Sequence, residues 1–244
     1  MNPFSLEGKK ILVTGASSGI GKAIAIECAR MGAQLIITGR NKEKLQETLV
    51  HLNGTYHSMK VADLTSESDI NQLLVGQQIF DGVVLSTGIQ NRLPLKMINH
   101  EKLSSLMETN FIASALLVKS LYKNKLIADK ASIVFISSIA SGYASLGNIM
   151  YMASKGAMNS FMKGIALELA PSGIRANAIQ PGMIKTNLSS ALDDDTINKD
   201  MENYPLKRYG QPEEVAWATI YLLSDATRWM TGSILTIDGG LTLR

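Results

Sequence analysis

The sequence predicts an α/β fold, a doubly wound parallel sheet carried by a single domain over residues 1–244. Three observations predict it. Short β-branched or apolar runs alternate with helix-length stretches along the whole chain. The runs are apolar throughout rather than at every second position, the pattern of strands buried on both faces. A glycine-rich turn, TGASSGIG at 14–21, links the first run to the first helical stretch, where sheets of this kind hold ligands.

The elements follow in order. KILVTG (10–15) and AQLIITG (33–39) are β-branched and apolar and read as strands, with helices expected over 20–31 and 43–52. YHSMKVADL (56–64) and FDGVVLSTG (80–88) continue the alternation, with a helix over 66–77 between them. A long helix is expected over 100–126, then the strand ASIVFISS (131–138), a helix over 152–170 and the strand IRANAIQPG (174–182). The last helix, 212–223, is announced by Pro212, Glu213 and Glu214, because proline fits the first helical position and carboxylates favour the positive end of the helix dipole. GSILTIDGG (232–240) is the final strand. No proline-rich linker, repeat or low-complexity tract divides the chain. The least regular segment, 186–210, follows a predicted strand end and is expected to form a lid over the substrate.

Composition narrows the function classes. The 24 Lys+Arg against 21 Asp+Glu give +3, with no basic run to suit nucleic acid or an anionic membrane. No run approaches the length of a membrane span, and the start lacks a secretory leader pattern. The single cysteine, Cys28, has no partner and reads as core, fitting a reducing, cytoplasmic setting. His51, His57 and His100 stand at no metal-ligand spacing, so no metal is expected. The acceptor triplets at Asn53 and Asn187 read as chance matches.

The chemistry begins with YMASKGAM at 151–158. On a helix Tyr151 and Lys155 lie one turn apart on one face, and a nearby ammonium favours phenolate, bringing the phenol closer to use at neutral pH. Gly15, Gly19 and Gly21, spaced G-x-x-x-G-x-G, allow a tight turn and the approach of backbone N–H groups to a pyrophosphate. After the second strand, the position that often carries an acid for a ribose 2′-hydroxyl is Gly39, followed by Arg40. A guanidinium attracts a 2′-phosphate, which points to NADP(H) as the preferred cofactor, with NAD(H) possible.

These residues resemble the short-chain dehydrogenase/reductase family along essentially the whole chain. The elements stand in order: TGASSGIG at 14–21, Asp63 in VADL, Asn110 in METNF, Ser138 in FISSIA, Tyr151-x-x-x-Lys155, and Pro181-Gly182 with Thr186. The resemblance implies a Rossmann-type domain and a carbonyl reductase or alcohol dehydrogenase. It implies that Tyr151 exchanges the proton with the substrate oxygen, that Lys155 binds the nicotinamide ribose and lowers the Tyr151 pKa, that Ser138 holds the oxygen and that Asn110 holds a relay water. It also implies cofactor contacts from Gly15, Ser17, Ser18, Gly19, Ile20, Gly21, Arg40, Asp63 (to adenine), Gly88, Tyr151, Lys155, Pro181, Gly182, and Ile184 with Thr186 at the carboxamide. Ser137 reads as a structural neighbour.

The pattern departs in places. Asn-Asn-Ala-Gly is replaced by Leu85-Ser86-Thr87-Gly88, and Gln180 precedes Pro181 where asparagine is common. Among subgroups the chain is most similar to the bacterial 3-oxoacyl-acyl-carrier-protein reductases, which implies a 3-oxoacyl thioester as substrate. A sugar, polyol or other small-ketone dehydrogenase is the alternative, and a non-catalytic NADP-binding regulator a second. Basic residues that would dock an acidic carrier are replaced by Asp129 and Ser172, with Lys130 and Arg175 nearby. The resemblance further implies a homotetramer, using Met107, Phe111, Leu116, Leu117 and Leu121 on one helix and Phe161, Ile165 and Leu169 on another; periodicity alone leaves core open for the same residues.

Overall fold

The computed structural model describes residues 2–186 and 194–243, with side chains described from 197 onward in the second segment. Seven strands form one parallel sheet: β1 (Lys10–Thr14), β2 (Gln34–Gly39), β3 (Ser58–Val61), β4 (Phe80–Leu85), β5 (Ile127–Ile136), β6 (Arg175–Pro181) and β7 (Ile234–Ile237), in spatial order β3-β2-β1-β4-β5-β6-β7. The chain steps outward from β1 to β3, then returns to the other side of β1 with β4 and steps outward again. The carboxyl ends of β1 and β4 are therefore the point where the winding reverses and a crevice opens.

Helices α1 (Gly19–Arg30), α2 (Lys42–Val50) and α8 (Pro212–Leu223) contribute to one layer, where Ile24, Cys28, Val215 and Leu222 are fully buried. On the other layer lie α3 (Glu67–Leu74), α5 (Ala113–Lys123) and α6 (Ile149–Leu169), with Leu117, Met158 and Phe135 fully buried. Each such side chain contributes roughly 1.5–3 kcal/mol by leaving water. Burial also pushes the Cys28 thiol well above its ordinary value, as expected of a core cysteine.

The helix expected over 100–126 is composite. It consists of α4 (His100–Met107), a π-helical turn (Glu108–Ile112) and α5. The wider turn inserts into the ladder at Asn110, and such insertions recur at functional sites. β5 begins earlier than expected: Phe80 pairs with Ile127 but Gly82 with Ser132, a register shift that accompanies Lys130 at φ 65°. Asp129 and Lys130 thus belong to an irregular strand start.

Of the residues expected at subunit contacts, Leu117, Leu121 and Leu169 are core, while Leu116 remains partly exposed. Phe111 and Phe161 meet edge-to-face. The expected lid, 186–210, lies partly outside the described residues. Within it are α7 (Asp194–Met201) and a bridge joining Ile184 to Gly210. Tyr204 accepts the Met183 N–H, and Tyr209 donates to Asp200 at 2.7 Å. Among the described residues no helix is long and apolar enough to cross a membrane, and no cluster of metal-ligating side chains occurs.

Candidate active site

A cleft of about 640 Å³ runs over the carboxyl ends of β1, β2 and β4. The turn after β1 is shaped to admit a ligand backbone-first. Gly15 has φ 63°, and a Cβ there would lie 2.8 Å from the Ser86 carbonyl oxygen. A Cβ at Gly21 would overlap the Gly15 carbonyl. Only glycine permits the close approach of this turn to β4 and of α1 to the turn. Ser18 precedes α1 without a side-chain cap, so it leaves the first-turn N–H groups to the cleft. A helix start of this kind, lined by Gly15, Ser17, Ser18, Gly19, Ile20 and Gly21, suits a pyrophosphate.

At the far wall stand Arg40 and Asp63, their charged atoms 3.9 Å apart and both partly exposed. Asp63 accepts the Thr65 N–H at 3.0 Å and the Thr65 hydroxyl at 2.7 Å, which hold its carboxyl below the ordinary value, with Arg40 adding to the effect. One Asp63 oxygen is thus committed to Thr65. Asn41 and Lys44 share this wall and were not singled out by sequence. Lys44 follows Arg40 by four residues, and its N–H is taken by the Asn41 side chain at 2.8 Å; spacing plus the Asn41 cap was the signal available.

At the other end, Tyr151, Lys155, Ser137 and Thr186 line the cleft, which continues into a smaller cavity of about 130 Å³ bounded by Ser138, Pro181, Gly182 and Ile184. Gly182 donates to the Ile237 carbonyl, and a Cβ on it would press against Asp238 at 2.9 Å. Tyr151 and Ser138 both line this smaller cavity, and the Ser138 side chain acts to lower the phenol's pKa. Ser138 also accepts the Ala140 N–H at 3.1 Å, which fixes its hydroxyl oxygen at the head of a short 3₁₀ turn. The Ser137 N–H continues the β5–β6 ladder by donating to the Ile179 carbonyl at 2.8 Å, while the residue also lines both cavities.

Lys155 is 4% exposed. Its ammonium donates to the Ile136 carbonyl at 2.8 Å and lies 5.7 Å from the centre of the Tyr151 ring. Burial lowers its pKa to about 8. Burial also raises the Tyr151 phenol, and Ser138 alone works against that. In this geometry desolvation of the phenol outweighs the lowering by Lys155 expected from their spacing, the ammonium being aimed at the Ile136 carbonyl.

Asn110 is fully buried on its π turn. It accepts the Ile89 N–H at 2.7 Å and donates to the Ile89 carbonyl at 2.9 Å and to Ser154 at 3.1 Å. Both amide protons are used, and the Oδ1 accepts the Ile89 N–H. Gly88 borders this corner, where a Cβ would make ordinary contact at 3.5 Å with both Asn110 Oδ1 and the Lys155 ammonium. The loss of the usual asparagines before Gly88 is partly met by Thr14, whose hydroxyl accepts the Ser86 N–H at 3.0 Å.

The comparisons agree with this architecture. A family model described as enoyl-(acyl carrier protein) reductase matches residues 15–242. The chain is 32% identical over 241 residues to the 3-oxoacyl-[acyl-carrier-protein] reductase FabG of Rickettsia bellii, covering 98% of this chain and 99% of that protein. It is 35% identical over 247 residues to a glucose 1-dehydrogenase of Gluconobacter oxydans, covering 97% and 92%. A candidate 2-deoxy-d-gluconate 3-dehydrogenase from Agrobacterium tumefaciens, solved with NADP bound, superposes with a TM-score of 0.90 at 32% identity over the full length of both chains.

Proposed function

The chain belongs to the short-chain dehydrogenase/reductase family of nicotinamide-dependent oxidoreductases, and on that premise we propose that it is an NADPH-dependent carbonyl reductase whose chemistry rests on Ser138, Tyr151, Lys155 and Asn110. The observation that carries this reading is that Tyr151 and Ser138 line one small cavity at the inner end of the cleft, with a buried ammonium one helical turn from Tyr151.

The glycine cradle and the helix start of α1 fit a dinucleotide, with Arg40 and Lys44 able to meet a 2′-phosphate as a pair of cations. Bound there, the cofactor supplies the hydride. The protein supplies the rest. Burial keeps the Tyr151 phenol protonated at neutral pH, so it is loaded to donate that proton to the substrate oxygen. Ser138 hydrogen-bonds the same oxygen as charge develops on it. Once Tyr151 has given its proton, Ser138 and the Lys155 ammonium stabilise the phenolate, and reprotonation proceeds through Lys155 and the Asn110 corner. Asn110 braces the loop after β4 by gripping Ile89 on both backbone groups.

For the substrate, a 3-oxoacyl thioester is supported by the likeness to the Rickettsia bellii reductase. One structural observation favours a free-standing sugar, polyol or small ketone instead. Arg175, one of the two cations near the expected carrier-docking surface, is buried and donates to Thr227 at 2.9 Å and Ser224 at 3.2 Å, while Lys130, the other, is exposed but stands beside the acidic Asp129. This is a poor match for an acidic carrier. The reading also carries a homotetramer, supported by Leu103, Leu116, Ile149 and Leu167 standing exposed on α4, α5 and α6, and a cytoplasmic setting, supported by the lone buried cysteine.

NADPH oxidation by the purified protein tests the proposal, with acetoacetyl-CoA beside keto sugars and cyclic ketones. Turnover is expected with at least one of them, and Tyr151→Phe is expected to lower it by ~10²–10⁴-fold while leaving NADPH binding intact. Preference for the thioester supports the first substrate reading and preference for the panel the second. Silence with NADPH bound overturns the catalytic assignment.

A further inference from the structure

Gln180 stands where the family resemblance calls for another residue, and it is wired to the catalytic turn. It lies on β6 directly opposite Thr236 of β7, whose hydroxyl donates to Gln180 Oε1 at 3.3 Å. The other end of its amide, Nε2, donates to the Ser141 hydroxyl in a short hydrogen bond. Ser141 in turn donates its proton to the Ser138 carbonyl at 2.8 Å, beside its own N–H on the same oxygen at 3.0 Å. Every donor in the chain points the same way, from Thr236 through Gln180 and Ser141 to Ser138.

We infer that Gln180 is a positioning residue for Ser138: it orients the Ser141 hydroxyl so that the turn 138–141 is closed by two bonds to the Ser138 carbonyl, and thereby sets the direction of the Ser138 hydroxyl toward Tyr151. The polarity matters as much as the contact. Gln180 offers Ser141 a donor, so the Ser141 proton is free to go to Ser138; an acceptor in its place would draw that proton away. β5 and β6 are already in register up to Ile136 and Ile179, and the ladder ends with Ser137 on Ile179. Beyond that point no backbone bond among the described residues holds the turn to β6, and the Gln180 side chain takes over. The inference rests on the roles given above to Ser138 and Tyr151.

The test is the ionisation of Tyr151, read by ultraviolet difference absorbance against Tyr151→Phe, in protein free of cofactor and again with saturating NADP⁺. The groups around Tyr151 make this readable. Lys155 on its own helix is the titratable neighbour and releases its proton near about 8, before the raised phenol ionises, and Ile20, Gln90, Met183, Ile184 and Thr186, which share its cavity from the other elements, carry no charge. Ser138→Ala is expected to move the Tyr151 titration to higher pH, by loss of the donor to the phenolate. Gln180→Met, close in volume and without hydrogen bonds, is expected to move it in the same direction by a smaller amount, and to move it no further in the Ser138→Ala background. Ser141→Ala is expected to reproduce Gln180→Met and serves in its place should that variant not fold. A Gln180→Met titration identical to wild type, or a shift of equal size with and without Ser138, overturns the inference. The readout needs no turnover, so failure of the carbonyl-reductase reading shows separately, as silence across the ketones.

Discussion

Replacing Lys155 by methionine separates the cost of burying a charge from the value of the hydrogen bond it makes. Its pKa falls from 10.5 to about 8 on folding, which at ~1.4 kcal/mol per tenfold change in proton affinity is a burial cost of roughly 3 kcal/mol for the charged form. Below pH 8 the side chain is protonated in both folded and unfolded chains, and the whole cost is borne. Between about 8 and 10.5 the folded protein releases the proton while the unfolded chain keeps it, so stability rises with pH across that window. Methionine removes the charge at every pH but orphans the Ile136 carbonyl, at about 1–3 kcal/mol. In cofactor-free protein, Lys155→Met is therefore expected to be about 1 kcal/mol more stable than wild type at pH 7 and roughly 2 kcal/mol less stable near pH 10.5. Urea unfolding of both proteins across the range measures the difference, in which titrations common to both cancel. A difference that stays flat between pH 8 and 10.5 would refute the reasoning, because then folding would not perturb this lysine.

Two further outcomes are expected. Arg40→Asp, which replaces attraction for a 2′-phosphate by repulsion, should weaken NADPH binding ~10–100-fold while changing NADH binding little; equal losses in a fluorescence titration would detach Arg40 from cofactor choice. Asn110→Leu, of similar size, leaves the Ile89 N–H and carbonyl without their partners and should cost about 2–4 kcal/mol in urea unfolding; unchanged stability would mean the brace on the loop after β4 is not made.

Much of this was legible in the sequence because it depends on local patterns. Most of the strands are apolar runs that no helix period explains, β3 being mixed in composition and only partly buried, and the glycines of the first turn announce a backbone that must pass close to another. Spacing pairs Tyr151 with Lys155, whereas Ser138 enters through the resemblance to the family. Less legible was whatever depends on which atom a side chain faces. Spacing placed Lys155 beside Tyr151, but only the fold shows its ammonium directed at Ile136, with burial governing both groups. The nearness of Arg175 to the expected docking surface said nothing of its burial against Ser224 and Thr227. The link from Gln180 to Ser141 joins residues 39 apart in sequence, across a strand order that had to exist first. The irregular start of β5 and the π turn at Asn110 were invisible for a related reason: each adds residues to a regular element without changing its apolar pattern.

That π turn constrains how the chain can change over generations. Deleting one residue between 108 and 112 would mend the helix, restoring unbroken α geometry from α4 into α5, and by local criteria the result would be the better helix. It would also turn everything on one side of the repair by about 100° relative to the other, carrying either Asn110 away from Ile89 or the buried face of α5 away from the sheet. The irregularity is thus a locked spacer. Point substitutions can drift around it, but length changes in this stretch are closed to any descendant that must keep both the grip on Ile89 and the core beneath α5.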